Sequence, residues 1–284
     1  MQMNILSIQS WVAYGHVGNA SAMFPMQRLG HEVWGLQTVQ FSNHTGYGSW
    51  RGEVFGAEHI QDLVAGIDHL GALPRCDGVL SGYMGTAQIG DAILDAVGRV
   101  KAANSAAHYC CDPVMGDIDT GMYVRPGIPE FMRDRAVPAA DIITPNQFEL
   151  DFLSGRTTST LEDARRACEA VHATGPRVIM VTSLHTADTP ADSIDMLASG
   201  PDGCYRVRTP KLGISVNGAG DAIAALFFVH WKSSHSTAEA LGKASSSAYG
   251  LLARTAAAGS REILTVAAQD EFVTPSRVFT PEKL

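Results

Sequence analysis

GVLSGYMGTAQIGDAILDAVGRVKAANSAAHYCCD, residues 78–112, begins and ends on short apolar runs and carries a longer amphipathic run between them. The outer runs, GVLSG (78–82) and AHYCCD (107–112), are short and lack the apolar-polar alternation of a strand with one wet face. They read as strands buried on both faces. The inner run, 87–103, repeats apolar residues at helical spacing and is long enough for several turns. Two buried strands joined by such a helix form a βαβ unit, which implies parallel pairing.

The pattern repeats on both sides. NILSI (4–8), EVWGLQTV (32–39), ADIIT (140–144) and RVIMVTS (177–183) read as further buried strands. Helices are expected over 19–29, 58–70, 147–154 and 161–173. The rhythm changes at SIDMLASGPDGCYRVRTP (193–210), which reads as a hairpin turning at GPDG. Two more helices, over 220–231 and 237–255, follow it. No Pro/Gly/Ser-rich linker and no internal repeat divides the chain, so residues 1–284 are expected to form a single α/β domain with a mainly parallel sheet.

Composition narrows the function. Twenty-nine acids against 21 Lys and Arg give a formal net charge of -8. That balance argues against a nucleic-acid binder, which needs a basic face for phosphates. An anionic ligand must then be held by local backbone N–H groups or by a metal. The five cysteines are scattered, with no C-x-x-C pair, as expected for reduced thiols in a cytoplasmic protein rather than a disulfide framework or zinc site. The first residues, MQMNILSIQSWVAYG, lack the basic flank of a signal peptide, and no apolar run is long enough to span a membrane.

In open α/β sheets ligands bind beyond the carboxyl ends of the strands, so the segments after each strand are the candidates. NGAGD (217–221) is the most informative. Gly218, Ala219 and Gly220 leave backbone N–H groups uncrowded at the start of a helix, a cradle for phosphate. Asp221 either complements the helix dipole or takes a proton from a hydroxyl that attacks phosphorus. Asp112, ending a buried strand before Pro113, either caps a turn or serves a divalent ion. In TPNQFE (144–149), Asn146 and Glu149 have capping-box spacing, and both, with Asp112, also offer hard oxygens for Mg²⁺ carried in with a nucleotide. Arg206 and Arg208 alternate along a strand and face solvent by default, with phosphate or adenine contact as the alternative; Lys211 is a candidate for phosphate. His16, His44 and His59 lack metal-ligand spacing, and no G-x-x-x-x-G-K-[ST] sequence is present, which excludes a P-loop.

SIQS (7–10), GHVGN (15–19), FPMQRLG (24–30), VQFSNHTGYG (39–48), SGYMG (81–85), DPVMGD (112–117), TPNQFE and NGAGD occur in that order. Together they resemble the pyridoxal kinases of the ribokinase-like superfamily, over effectively the whole chain. FSNHTGYG is the specific signature, whereas G-x-G-D marks only the superfamily. The resemblance implies a three-layer α/β/α sandwich and ATP-dependent phosphorylation of the pyridoxal 5′-hydroxyl. It makes Asp221 the general base and the N–H groups of Gly218, Ala219 and Gly220 an anion hole. Ser10, Val17, Phe41, Thr45, Gly46 and Tyr83 then line the substrate pocket. Asp112 and Glu149 serve Mg²⁺, mostly through water. Thr144, Thr182 and the strand Arg206, Val207, Arg208, Thr209 lie on the nucleotide side, where K⁺ is a candidate monovalent cation. DIDTGMYVR (117–125) matches a loop over ATP, and the resemblance implies a homodimer. Three features depart from the pattern: Asn217 before the anion hole, Trp11 after SIQS, and no basic residue beside the hole after Lys211. The alternatives are a hydroxymethylpyrimidine kinase, a sugar kinase, or a protein that binds and delivers pyridoxal phosphate.

Overall fold

In the computed structural model, which describes residues 2–284, adjacent residues of each apolar run enter opposite cores. Leu6, Val79, Cys111, Ile143 and Ile179 belong to one buried cluster; Ile5, Leu80, Cys110, Ile142 and Val178 belong to the other. Side chains alternate along a strand. A strand covered by helices on both sides therefore needs apolar residues at every position.

The chain runs β1 (Asn4–Val12), α1 (Asn19–Arg28), β2 (Glu32–Phe41), β3 (Gly52–Val54), α2 (Ala57–His69), β4 (Gly78–Ser81), α3 (Ala87–Ala103) and β5 (His108–Cys111). A small hairpin, β6 (Gly116–Asp117) and β7 (Gly121–Met122), precedes a helical stretch from α4 (Ile128–Phe131) to α5 (Val137–Ala139). Next come β8 (Ile142–Ile143), α6 (Gln147–Ser154), α7 (Leu161–His172) and β9 (Val178–Leu184). The hairpin of β10 (Ser193–Gly200) and β11 (Gly203–Pro210) leads into α8 (Ala219–Ser234) and α9 (Thr237–Ala257). The chain closes with α10 (Asp270–Val273) and β12 (Glu282–Lys283).

The strand order is β12-β11-β10-β9-β8-β5-β4-β1-β2-β3. The six strands from β9 to β2 are parallel; β3 pairs antiparallel on one side, and on the other β10, β11 and β12 follow, each antiparallel to its neighbour. Helices α2, α3, α6 and α7 pack on one face, and α1, α8, α9 and α10 on the other. This is the expected three-layer α/β/α sandwich of ribokinase-like kind.

Several elements differ from the sequence reading in physically informative ways. β1 continues through QSWV because Gln9, although polar, is buried and donates to the Ser7 hydroxyl at 3.0 Å. GPDG does close the hairpin, with Gly200 opposite Gly203. β12 was not expected: two charged residues pair with β11 after about seventy residues of intervening chain, and no local pattern announces such a strand. Among the described residues no helix is long and apolar enough to cross a membrane.

Candidate active site

The parallel strands end along one edge, and a cavity of about 860 Å³ opens there. Most of the residues singled out at the strand ends line it. The register of β1 against β2 slips between Gln9 and Trp11. The extra residue lies on β2, between Gln37 and Gln40, opposite Ser10 of the cavity wall; bulges recur beside functional sites. Val17, from the following loop, and Phe41, the last residue of β2, also line it, as do Thr45 and Gly46 of a 3₁₀ turn and Tyr83 beyond β4. These six form the end assigned to the acceptor. Thr144, Thr182 and Thr209, at the ends of β8, β9 and β11, line the other end.

Between the two ends lies the start of α8. This helix is buried along most of its length, with Ala222–Val229 all in the core, so its axis is fixed by packing on both sides. Its N-cap is Gly218, with φ 86°, and no side chain caps the terminus. The first N–H groups, with the positive end of the helix dipole, are thus left for a ligand. Two glycines serve this turn for different reasons. A β-carbon at Gly218 would meet the His16 carbonyl at 1.8 Å, whereas one at Gly220 would have nothing within 4 Å and would project into open space. The Ser21 hydroxyl fixes the turn further by donating to the Gly218 carbonyl at 2.7 Å.

Three acids share this centre. Burial pushes the Asp221 carboxyl up to about 6, against the pull of N–H groups from Gly18 and from Asp221 itself. Burial raises Asp112 well above the usual carboxylate range, and the charges of Glu149 and Asp221 raise it more. The Thr144 hydroxyl, 3.1 Å from Asp112 Oδ1, opposes that rise. Glu149 is pushed up to about 7 by burial, although backbone N–H groups hold it back. Met115 N–H donates to Glu149 Oε1 at 2.8 Å and Asn146 N–H to Oε2 at 2.9 Å. Asn146 Oδ1 in turn accepts from Glu149 N–H, which completes the expected capping box. Capping and site membership are thus compatible for Glu149. Among the described residues no group of three or more His, Cys, Asp or Glu is arranged to ligate a metal directly.

Three residues assigned to the nucleotide side do not put their side chains there. Arg208 grips the fully buried Asp195, with two bonds of 2.7 Å. Arg206 pairs with Glu282 of β12, and Val207 is part of the core beneath α8 and α9. Alternation along β11 sends the arginines to one side and Val207 to the other, and only Thr209 of the four lines the cavity. Asn217 and Lys211 line it as well, while Trp11 does not.

The sequence reading missed an apolar wall. Ala248, Tyr249 and Leu252 of α9, with Ile214 and Val216 of the loop between β11 and α8, line the cavity. Helical periodicity marked the apolar face of α9 but could not show that part of it overlooks a cleft rather than the core. Thr120 and Tyr123 of the β6–β7 region also face the cavity. Asp117 Oδ1 tightens that hairpin by accepting from the N–H groups of Asp119 and Thr120 at 2.9 and 2.7 Å.

Residues 68–265 match the sequence model of a family described as Phosphomethylpyrimidine kinase. Over 281 residues the chain is 62% identical to the pyridoxal kinase PdxY of Granulibacter bethesdensis, covering 98% of each chain. The pyridoxal kinase of Leishmania donovani in complex with ADP has a TM-score of 0.92 to this structure at 30% identity, over 99% of both chains. The same enzyme with ADP and pyridoxamine gives 0.90 at 30% identity, over 98% of this chain and 99% of that one. With similarity that runs end to end and a site assembled from the very segments that carry it, the chain belongs to the pyridoxal kinase family.

Proposed function

We propose that the protein transfers the γ-phosphoryl group of ATP to the 5′-hydroxyl of pyridoxal, giving pyridoxal 5′-phosphate and ADP. The observation that carries this reading is the place of Asp221, beside an uncapped helix N-terminus and between two ends of one cavity. The aromatic and hydroxyl groups at the Ser10–Tyr83 end suit a hydroxylated pyridine ring: Phe41 and Val17 pack against it, and Ser10 and Thr45 can hydrogen-bond its polar substituents. The threonine-lined end, with the Tyr249 and Leu252 wall, suits a nucleotide.

In the reaction, Asp221 accepts the proton of the 5′-hydroxyl as its oxygen bonds to the γ-phosphorus, and the bond to the ADP oxygen breaks. The N–H groups of Gly218, Ala219 and Gly220 face the charge that builds on the equatorial oxygens. A carboxyl near 6 is ionised at neutral pH yet basic enough to take the proton.

Asp112 and Glu149 fit a divalent ion carried in with ATP, since burial raises both, the charge of Glu149 raises Asp112 further, and a cation relieves that repulsion. Their oxygens already accept from Thr144, Met115 and Asn146, which favours holding Mg²⁺ through its water. Bound there, Mg²⁺ neutralises phosphate charge. K⁺ beside Thr144 and Thr182 is a further part of the proposal; replacing K⁺ by Na⁺ in the assay tests it. Family membership also supports a homodimer in the cytoplasm, testable by sedimentation equilibrium and cell fractionation.

The experiment is ADP release by the purified protein with Mg-ATP and, in parallel, pyridoxal, pyridoxine, pyridoxamine and hydroxymethylpyrimidine. Turnover with pyridoxal is the expected result. The family description and the exposed Asn217 at the pocket favour hydroxymethylpyrimidine as the second reading, and turnover with that ring alone would replace the first.

A further inference from the structure

Glu262 does not line the cavity, yet three segments that do so meet on it. Its Oε1 accepts from the Tyr47 hydroxyl at 2.6 Å. Tyr47 closes the 3₁₀ turn that presents Thr45 and Gly46 to the cavity. Its Oε2 accepts from the His16 N–H at 3.1 Å. His16 precedes Val17, and its carbonyl is the atom packed against Gly218. The backbone of Glu262 also bridges to Asn217, the residue before the anion hole.

The setting of Glu262 is itself built. The Ser260 hydroxyl accepts from Glu262 N–H at 3.1 Å and donates to its carbonyl at 2.6 Å, which locks the local backbone. Arg261 lies 4.7 Å over the Tyr47 ring and holds the turn from its other face. Gly15 leaves room for the carboxylate: a β-carbon there would stand 2.1 Å from Oε2.

We infer that Glu262 is a positioning residue for the phosphoryl acceptor, tying the Thr45–Tyr47 turn and the 15–18 loop to the anion-hole turn. This rests on the kinase reading above, in which the Ser10–Tyr83 end holds the acceptor. A carboxylate that accepts from two segments at once fixes their separation, and small displacements of an acceptor hydroxyl from phosphorus are costly in rate. The side-chain bonds of Glu262 go to Tyr47 and His16, both at the acceptor end, so the larger effect falls on the acceptor.

The test compares Glu262→Ala, Glu262→Gln and Tyr47→Phe with the wild type, by steady-state kinetics and by calorimetric titration of pyridoxal and of ATP. Glu262→Ala should raise the KM and Kd for pyridoxal about ten-fold or more, with those for ATP within two-fold. Glu262→Gln should stay within about three-fold of wild type, because its oxygen can accept from His16 N–H and its amide can donate to the Tyr47 hydroxyl. Tyr47→Phe should fall between, and combining it with Glu262→Ala should add little, since the two changes remove one shared bond. An unchanged pyridoxal KM in Glu262→Ala, or equal losses for pyridoxal and ATP, overturns the inference while leaving the kinase reading intact. A wild type that neither binds nor phosphorylates pyridoxal overturns the kinase reading, and this inference with it.

Discussion

The carbonyl oxygen of His16 occupies the space that a side chain on Gly218 would need, 1.8 Å from its β-carbon. The loop after the first strand, whose Val17 also lines the cavity, therefore shapes the proposed phosphate cradle about 200 residues later through a backbone atom. Gly218→Ala should destabilise the fold by about 1–3 kcal/mol through its left-handed backbone and this clash. It should also reduce kcat by about 10²–10³-fold as the donors shift. Gly220→Ala separates the two effects: thermal stability should hold or rise, since Ala favours helix over Gly, while the methyl in the cradle lowers turnover. Melting curves and kcat for the pair check both statements.

Asp221→Asn should lower kcat by about 10²–10⁴-fold, the usual loss for a general base, and leave ATP affinity within two-fold. The sign of the pH dependence follows from the same group. With its carboxyl raised to about 6, protonation below that pH removes the base proposed above. The kcat/KM for pyridoxal should thus fall about ten-fold per unit as pH drops below about 6, and level off above it. A profile flat down to pH 4.5 would assign the base elsewhere.

Asp112 and Glu149 make a different pH prediction. Glu149 holds its proton up to about 7, so binding a cation there expels protons. Half-saturating Mg²⁺ should accordingly rise as pH falls through 7. Asp112→Asn should raise it about ten-fold at fixed pH, and Glu149→Gln should flatten the dependence. Mg²⁺ titrations of activity at pH 6, 7 and 8 read all three.

The two arginines of β11 show where sequence reading stops. Their alternation was legible, and solvent-facing was its default reading; what no local pattern holds is that Arg208 meets a buried Asp195 one strand away. Arg208→Ala should cost about 3–5 kcal/mol by leaving that carboxylate unpaired, with the KM for ATP unchanged within two-fold. Chemical denaturation and ATP kinetics test the two halves.

The parts of the site that were legible are those encoded within a few residues: the Gly218–Asp221 turn, the Asn146–Glu149 cap, and the small and hydroxylated residues at each strand end. Apolar runs gave the layers because buried parallel strands leave no other pattern. What escaped depends on distance along the chain. Glu262 reaches His16 across 246 residues, and the α9 wall becomes a wall only once the neighbouring loop leaves a gap beside it. Strand β12 is two charged residues whose partner lies in another part of the chain.

Helix α8 carries both the turn proposed for catalysis and a continuous buried apolar segment, from Ala222 to Val229. The reacting groups are thus anchored to the part of the molecule that yields last. The 3₁₀ turn at Thr45–Tyr47 and the hairpin around Ile118 sit at the rim with much of their surface in water. Local opening starts where few apolar contacts hold the chain. Warming should therefore loosen the grip on the ring before it disturbs the chemistry, and the enzyme should lose selectivity among its acceptors at temperatures where each bound acceptor still reacts at full speed.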